Sequence, residues 1–261
     1  MKILKPTVFL IGEQRIIPSG LEAYLAHVGA SEWDTDSPTD VELLAEFYGR
    51  LCYRSWKPGM NPNVTRVREG NREYLEHVLD VGHGSLLEHS YLNWVFADVS
   101  RVFTHELVRH RVGLAISQES LRFVRLTELG FWLPAVIDDD PTAVEIFTTT
   151  VECLEQVQRQ LAEHFELDKK GIAFAVKKEI TSAMRRLAPI GLATTIGWTC
   201  NIRTLRWVIE ARTDPSAEEE IRMVFGQVAN EVIARYPNLF QDFEATLVNG
   251  HNWYKPKNRK V

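Results

Sequence analysis

Residues 106–123 read ELVRHRVGLAISQESLRF and form the most informative stretch of the chain. Three basic side chains, Arg109, His110 and Arg111, stand in a row, and neighbours on a helix diverge by about 100°. They therefore do not share one helix face, but at a helix end they can fan out towards a common phosphate-rich groove. The alternative is a solvated basic turn. The polar run that follows leads to Arg122, and a guanidinium binds two oxygens at once without losing its charge.

Hydrophobic periodicity on both sides of this stretch predicts a chain of the α/β (α+β) class, with mostly helices around a small sheet. Helices are expected at about Val41–Tyr53, Asn71–Leu79, Ser100–His110, Ala143–Glu166, Ile172–Leu187, Asn201–Ala211 with Asn201 as its cap, and Ala217–Tyr236. Strands are expected at Tyr91–Phe96 and Leu192–Trp198, and loops at Ser55–Asn71, Val112–Ile116 and Phe131–Asp140. No internal repeat or domain boundary is visible in the sequence. Residues 1–261 are therefore interpreted as a single domain with a core at about residues 41–236.

The composition excludes several classes of protein. The chain is 45% hydrophobic and carries a net charge of −5, whereas proteins that bind nucleic acid by bulk electrostatics show a basic domain. The three cysteines are far apart without a CxxC pair, and no HExxH occurs, so we expect neither a disulfide framework nor a metal site. The longest weakly polar run, Ala188–Trp198, falls far short of the roughly 20 residues that span a bilayer, and the N-terminal segment is unlike a signal peptide. We expect a cytoplasmic protein without nucleic-acid or membrane partners.

The sequence also lacks the backbone cradles that many proteins use for phosphates. Neither GxGxxG after a strand nor GxxxxGK[ST] occurs. Any nucleotide would then be held by side chains, and arginine is the residue best suited to that task.

The 106–123 stretch resembles the signature of the flavin-dependent thymidylate synthases, whose usual form is RHRxxSxNExSxR. Here the spacer between RHR and the S-x-R end is one residue longer, and Leu114 stands where the usual first serine falls. Further segments are similar to motifs of the same family in the same order. They are Arg50–Tyr53 (R-x-C-Y), His83–His89 (GHxSxxEH), Arg185–Pro189 (R-x-x-x-P), Asn201–Arg206 (N-A-R-S-L) and Ala211–Ile221 (L-R-x-D…A-Q-x-E-I). The resemblance spans about residues 41–236.

The resemblance implies a fold, a cofactor and a substrate. The fold is that of thymidylate synthase-complementing proteins, with a small, largely antiparallel sheet flanked by helices. Contacts with FAD are implied for His83, Ser85, Glu88, Arg109, His110, Arg111, Gln118, Asn201 and Arg203. Contacts with dUMP are implied for Glu106, Arg109, Gln118, Glu119, Ser120, Leu121, Arg122, Arg185 and Arg212. Among these, Arg212 would lie at the uracil ring as the catalytic residue.

Some positions leave alternatives open. Gln118 takes the place of the family's glutamate when the extra residue is placed earlier in the spacer, and Glu119 is the rival assignment. Trp207 stands where a polar residue or histidine often contacts flavin, and Ser216 replaces a frequent histidine. Other polar residues have plainer interpretations. We expect structural histidines at His89 and His105, a helix-surface charge at Arg206 and a solvated helical turn at Glu218–Glu220.

The resemblance thus predicts an FAD-dependent thymidylate synthase that methylates dUMP to dTMP. It implies methylenetetrahydrofolate as the carbon donor, NADPH as the reductant, and a homotetramer with FAD sites at subunit interfaces. One alternative is a related flavin- and folate-dependent enzyme that acts on another pyrimidine. The other is a non-catalytic RNA-binding module that uses the same arginines.

Overall fold

The computed structural model describes residues 1–124, 126 and 128–260 and shows the mixture of helices and strands expected from the sequence. The α-helices are α1 Pro18–His27, α2 Asp40–Tyr53, α3 Asn71–Asp80, α4 Arg101–Leu107, α5 Ala135–Asp138, α6 Pro141–His164, α7 Phe174–Met184, α8 Ile202–Thr213 and α9 Glu219–Arg235. Two short 3-10 helices occupy Gly84–Glu88 and Arg185–Leu187. The strands are β1 Lys2–Ile3, β2 Thr7–Glu13, β3 Tyr91–Ser100, β4 Leu114–Gln118, β5 Gly130–Phe131, β6 Ala193–Asn201, β7 Phe243–Val248 and β8 His251–Pro256.

The central sheet is small, and its strand order is β2-β3-β6-β4. Its antiparallel character confirms the fold class that the sequence predicts. Two further pairs are separate from it: β1 runs parallel to β5, and β7 forms an antiparallel pair with β8. Because a strand of the central sheet leads directly into a helix at two places, the sheet fixes where those helices begin.

Both of these helices begin at a polar cap. Ser100 ends β3 and its hydroxyl accepts a hydrogen bond from the backbone N–H of Phe103 at 3.0 Å, which starts α4. Asn201 ends β6 and its side chain accepts from the backbone N–H of Thr204 at 2.8 Å, which starts α8. Such caps satisfy donors that a helix start otherwise leaves unpaired. The cap that the sequence predicts at Asn201 is confirmed.

The chain divides into two compact units. The first comprises Met1–Phe9, Val95–His110 and Ile116–Trp198, and it contains a hydrophobic cluster. The buried members of that cluster are Leu121, Leu126, Leu129, Phe131, Val151 and Leu192. The second comprises Leu10–Trp94, Arg111–Ala115 and the chain from Thr199 onward, with fully buried apolar faces on α8 and α9. The expectation of a single domain stays a prediction.

The structure departs from the expected elements where the sequence carries little periodicity. Part of the expected loop Val112–Ile116 belongs to β4, whose residues are half-buried or exposed, so that no apolar alternation marks them. The expected loop Phe131–Asp140 contains α5. The strands and helix before residue 30 and the C-terminal pair β7–β8 were not among the expected elements.

The expectation for Arg206 is wrong: its side chain was expected as a charge on the helix surface, but it is fully buried. Its Nη1 and Nη2 donate to the two carboxylate oxygens of Asp242, each at 2.9 Å, and Nη1 also donates to the carbonyl of Leu239 at 2.6 Å. A buried guanidinium requires such pairing. Its partner lies 36 residues away in sequence, so helical periodicity gave no sign of it.

Other expectations for single residues have mixed outcomes. His89 is exposed but stacks on Tyr48 with ring centroids 3.7 Å apart, a packing contact of the kind expected for a structural histidine, whereas His105 is exposed. Glu220, expected in a solvated turn, is buried. Glu218 instead caps α9, since its carboxylate accepts from the backbone N–H groups of Glu220 and Ile221.

Candidate functional site

The first unit places the start of the RHR segment at the end of α4. Glu106 lies in the last turn of that helix and is partly exposed. The backbone N–H groups of Arg109 and His110 donate to the carbonyls of Glu106 and Leu107, which continues the turn beyond the helix. His110 is buried, whereas the Arg109 side chain is exposed. As expected for consecutive residues at a helix end, these side chains diverge.

Gln118 and Glu119 differ in their surroundings. Gln118 ends β4, and its Nε2 donates to the hydroxyl of Thr104 on α4 at 3.1 Å. The next residue, Glu119, donates its backbone N–H to the carbonyl of Thr195 at 2.9 Å, and its side chain is exposed. Gln118 is therefore the residue of this pair that contacts the helix carrying Glu106.

The S-x-R end of the motif lies against α7 in the same unit. Leu121 is buried in the hydrophobic cluster, and Arg122 beside it is exposed. The carbonyl of Arg122 accepts from the hydroxyl of Thr181 on α7 at 2.7 Å. Arg185 follows Thr181 by four residues, about one helical turn, and is also exposed. Two arginines with predicted phosphate contacts are thus attached to the same part of the fold.

The second unit brings together residues from three separate motifs. Arg203, in the first turn of α8, forms an ion pair with Glu88 in which Nη1 and Oε1 are 2.5 Å apart. Both side chains are nearly half exposed. Gly84 makes room for this pair, because a Cβ at that position would lie 2.7 Å from the Nε of Arg203. The GHxSxxEH-like and N-A-R-S-L-like segments therefore meet directly.

The spacer after Arg111 joins the same group. Asn201 donates its backbone N–H to the carbonyl of Gly113 at 2.9 Å, and the Thr204 hydroxyl donates to the carbonyl of Val112 at 2.8 Å. Gly113 has φ +69°, and a Cβ there would lie 2.3 Å from the side-chain nitrogen of Asn201. The chain thus requires glycine here for both its backbone angle and its close approach. Arg111, which precedes this contact, is exposed.

His83, another of the predicted flavin residues, has an aromatic neighbour. Its ring stacks on Tyr53 with centroids 5.5 Å apart, and the Tyr53 hydroxyl lies 3.2 Å from Nε2. Ser85 nearby in sequence is exposed. Arg212, in the last turn of α8, is partly exposed and lies about two and a half to three turns beyond the Asn201–Arg203 group. Sequence reasoning did not single out Tyr53, Thr104, Thr181 or Gly113 as contributors to these sites, although RHR followed by glycine within two residues was a usable signal for the last.

Two kinds of feature are absent from the part of the chain that the structure describes. Within residues 1–124, 126 and 128–260, no group of three or more His, Cys, Asp or Glu side chains is arranged to hold a metal ion. Within the same residues, every helix is too short or too polar to cross a membrane.

The thiol of Cys200, next to Asn201, is fully buried, and burial raises its pKa well above the ordinary value.

Comparisons with known proteins agree with the motif assignment. Residues 35–238 match the family model described as thymidylate synthase complementing protein. A flavin-dependent thymidylate synthase of Mycolicibacterium gilvum is 35% identical over 220 residues, which cover 83% of this chain and 85% of that protein. Another, of Corynebacterium glutamicum, is 36% identical over 223 residues, covering 84% and 86%.

Solved structures share the fold. Thymidylate synthase X of Helicobacter pylori, in a crystal structure with FAD and dUMP, gives a TM-score of 0.54 at 22% identity and covers 77% of this chain and 93% of that one. A UMP/dUMP methylase of Streptomyces cacaoi, bound with 5-Br dUMP, gives 0.64 at 18% identity and covers 92% and 95%. The matched residues 35–238 include every residue of the predicted site. This chain therefore belongs to the thymidylate synthase complementing protein family, the family of the flavin-dependent thymidylate synthases.

Proposed function

We propose that this protein methylates dUMP to dTMP, with methylenetetrahydrofolate as the carbon donor, NADPH as the reductant and FAD as the bound cofactor. The observation that carries the proposal is the meeting of three family motifs in the second unit, where Glu88, Arg203 and Gly113 are held together around the start of α8. When bound, FAD supplies the redox chemistry that converts the transferred carbon to a methyl group. The protein supplies binding and electrostatics.

The residues present fit a flavin dinucleotide. With no glycine-rich fingerprint in the sequence, its pyrophosphate would be held by side chains, and the guanidinium groups of Arg111 and Arg203 are accessible for this. Ser85 is exposed and adds a hydroxyl donor. Glu88 orients Arg203, and Gly84 leaves the space that the guanidinium occupies. Arg109, His110, Gln118, Asn201 and His83 complete the proposed set.

In the proposed site, dUMP is held chiefly by arginines. Arg122 and Arg185 would bind its phosphate, since both are exposed next to α7 and a guanidinium pairs bidentately with phosphate oxygens. Arg109, Ser120 and the backbone of Leu121 would add contacts. Between the two rival residues, we assign the nucleotide contact to Gln118, because its side chain donates to Thr104 on α4, the helix that carries Glu106, whereas the Glu119 side chain is exposed.

Arg212 is the proposed catalytic residue. Methylation at C5 of uracil requires an electron-rich ring carbon, and a cation beside the N3 and O4 atoms stabilises negative charge on the ring. A guanidinium keeps its charge at any physiological pH, so it provides this stabilisation without a protonation step. The position of Arg212 at the end of α8 ties it to the helix that starts at Asn201.

The remaining expectations for the assembly belong to the same proposal. We propose a homotetramer in which FAD sites lie at subunit interfaces, a cytoplasmic location, and no nucleic-acid partner. Arginines spread over several segments without a self-contained dinucleotide fold are compatible with shared sites. A monomeric protein that still binds FAD in gel filtration would contradict the assembly.

The function is tested with the purified protein and with Arg212→Ala. We expect the wild-type protein to show the visible absorbance of flavin, and dUMP to be required for dTMP formation. In Arg212→Ala, tritium release from C5-labelled dUMP should fall by about 100-fold or more, the usual effect of removing one charge-stabilising group. Bound FAD should remain, which serves as the control for folding. Unchanged tritium release with FAD bound would remove Arg212 from the proposed role.

A second candidate is methylation of the ribonucleotide UMP. It is suggested by the Streptomyces cacaoi neighbour, which shares the fold and is described as a UMP/dUMP methylase. Parallel assays with dUMP, UMP and dCMP separate the two. Turnover of UMP at a rate equal to or above that of dUMP would establish the second candidate. A colourless protein with salt-sensitive RNA binding would instead favour an RNA-binding module.

A further inference from the structure

One cavity of the second unit is lined almost entirely by hydrogen-bond donors. Its volume is about 290 Å³, and it lies beside His83 between the end of α2, the segment 63–68 and α3. Its lining residues are Tyr53, Ser55, Asn63, Val64, Thr65, Arg66, Arg68, Tyr74, His77, Val78 and His83. Among the residues that the structure describes, none that lines this cavity carries a carboxylate. This combination of side chains is suited to an anion.

The segment 63–68, which forms the wall of the cavity that carries Arg66 and Arg68, is hydrogen-bonded to the rest of the unit at both ends. Asn61 donates its side-chain N–H to the carbonyl of Tyr53 at 2.7 Å, just before the wall begins. At the other end, Nη2 of the buried Arg50 donates to the carbonyl of Arg68 at 2.9 Å. Arg50 is itself held by Glu46, with Nε and Oε1 2.8 Å apart. A hydrogen bond thus holds the segment at each end, and the one to Arg68 comes from the buried Arg50.

The two arginines of the cavity are only partly neutralised by a neighbouring carboxylate. Glu73, outside the lining, pairs with Nη2 of Arg66 at 2.5 Å and lies 4.0 Å from Nε of Arg68, so one carboxylate faces two guanidinium groups. The pKa of His77 is lowered first by burial and then by Arg68, His83 and Arg66, while Asp80 acts in the opposite direction. Besides burial, Arg68, Arg66 and His83 thus disfavour one more positive charge at His77.

Neutral donors complete the lining. Burial raises the pKa of Tyr74 to about 12, so its hydroxyl stays protonated and can donate. Tyr53, whose hydroxyl is in contact with His83, is exposed. A volume of 290 Å³ lies at the lower limit of ordinary ligand pockets, which begin at about 300 Å³. It suits a small anion or the anionic end of a larger ligand.

We propose that this cavity is an oxyanion site, in which Arg66 and Arg68 bind the anionic tail of a co-substrate whose reactive end lies beyond His83. The part that concerns the co-substrate rests on the proposed function; the binding of an oxyanion does not. Two tails share the required chemistry, the 2′-phosphate of NADPH and the glutamate carboxylates of the folate. Bidentate arginine contacts serve both.

The first test uses inorganic phosphate as the probe and the full-length protein. The imidazole signal of His77, assigned with His77→Gln among the eight histidines, is followed by NMR as phosphate replaces chloride at constant ionic strength. We expect a saturable shift and a raised pKa of His77 in the wild type. In the double variant Arg66→Met/Arg68→Met the affinity should fall about tenfold or more, because charge-assisted hydrogen bonds are lost.

The matched control is Arg72→Met, which removes an exposed arginine from α3 outside the cavity lining. It should respond to phosphate like the wild type. Equal phosphate affinity in the double variant and the wild type would overturn the oxyanion site. A weakened response in Arg72→Met equal to that of the double variant would overturn it as well, since the effect would then come from net charge alone.

The second test identifies the tail by calorimetry with two ligand pairs. NADP⁺ is compared with NAD⁺, which lacks the 2′-phosphate, and tetrahydrofolate carrying several glutamates is compared with the monoglutamate. We expect one pair to differ by about tenfold or more in the wild type and to become equal in the double variant. Preferences that survive the double replacement would overturn the co-substrate assignment. Absence of dTMP formation by the wild type would refute the proposed function while leaving the phosphate result intact.

Discussion

Replacing Gly113 with alanine tests whether the close contact after RHR sets the geometry of the proposed flavin site. At φ +69° an alanine pays about 1–2 kcal/mol for the left-handed backbone. Its Cβ would also lie 2.3 Å from the side-chain nitrogen of Asn201 and 2.6 Å from the hydroxyl of Thr204. Relief of that overlap disturbs the cap of α8 and the hydrogen bond to Val112, each worth about 1 kcal/mol. The expected loss of unfolding free energy is about 3–4 kcal/mol.

The matched control is Gly29→Ala. Gly29 has nearly the same angle, φ +71°, but a Cβ there meets nothing within 4 Å, so only the backbone cost of about 1–2 kcal/mol applies. Urea denaturation of both variants measures the difference, and fluorescence titration with FAD measures its effect on binding. We expect weaker FAD binding in Gly113→Ala alone. Equal stability losses in the two variants, or unchanged FAD affinity in Gly113→Ala, would refute the reasoning.

Three further predictions follow from single contacts. Arg206→Met should cost about 3–5 kcal/mol of unfolding free energy, because it leaves the buried Asp242 carboxylate without its ion-pair partner. Adding Asp242→Leu should restore part of that loss in urea denaturation, and a loss below about 1 kcal/mol in Arg206→Met would contradict the prediction. Hydrogen bonds from Arg235 lower the pKa of Glu13 below its ordinary value of 4.5, so this carboxylate stabilises the fold above that pH and the contribution disappears as pH falls through the lowered pKa. Glu13→Gln should therefore lower the unfolding free energy by less than about 1 kcal/mol at pH 7, since the side chains of Glu13 and Arg235 are both partly exposed. At acid pH the variant and the wild type should be equally stable, so the same difference in stability at both pH values would contradict the prediction. Because burial raises the pKa of the Cys200 thiol, iodoacetamide should modify the two exposed cysteines of the folded protein and leave this one, as peptide mass mapping would show; its modification at the same rate would contradict the burial.

Elements with strong periodicity and local caps were predictable from sequence. The sixth helix was expected at Ala143–Glu166 and is found at Pro141–His164, with Asp140 as its cap and proline in its first turn. The Asn201 cap was identified in the same way. By contrast, β4 consists of exposed or half-buried residues whose position is set by its sheet neighbours, so no local pattern revealed it.

For the site, the sequence predicted the participating segments but not their contacts. Glu88 and Arg203 are 115 residues apart, and only the folded chain shows that their side chains pair. Motif spacing gave no reason to connect Arg122 with Thr181, because that contact depends on the path of the chain between them. The roles of these residues towards FAD and dUMP stay predictions.

The Arg206–Asp242 pair has a consequence for the order in which the chain folds during synthesis. Residues leave the ribosome from the N-terminus onward, and a domain can complete its structure only when all of its parts have emerged. The ion pair of Arg206 can form only after Asp242, 36 residues later, has been synthesised. Glu13 likewise has no ion-pair partner until Arg235, 222 residues later, has emerged. The second unit therefore stays incomplete until nearly the whole chain is outside, and the exposed intermediate at that stage is where chaperones would be expected to bind.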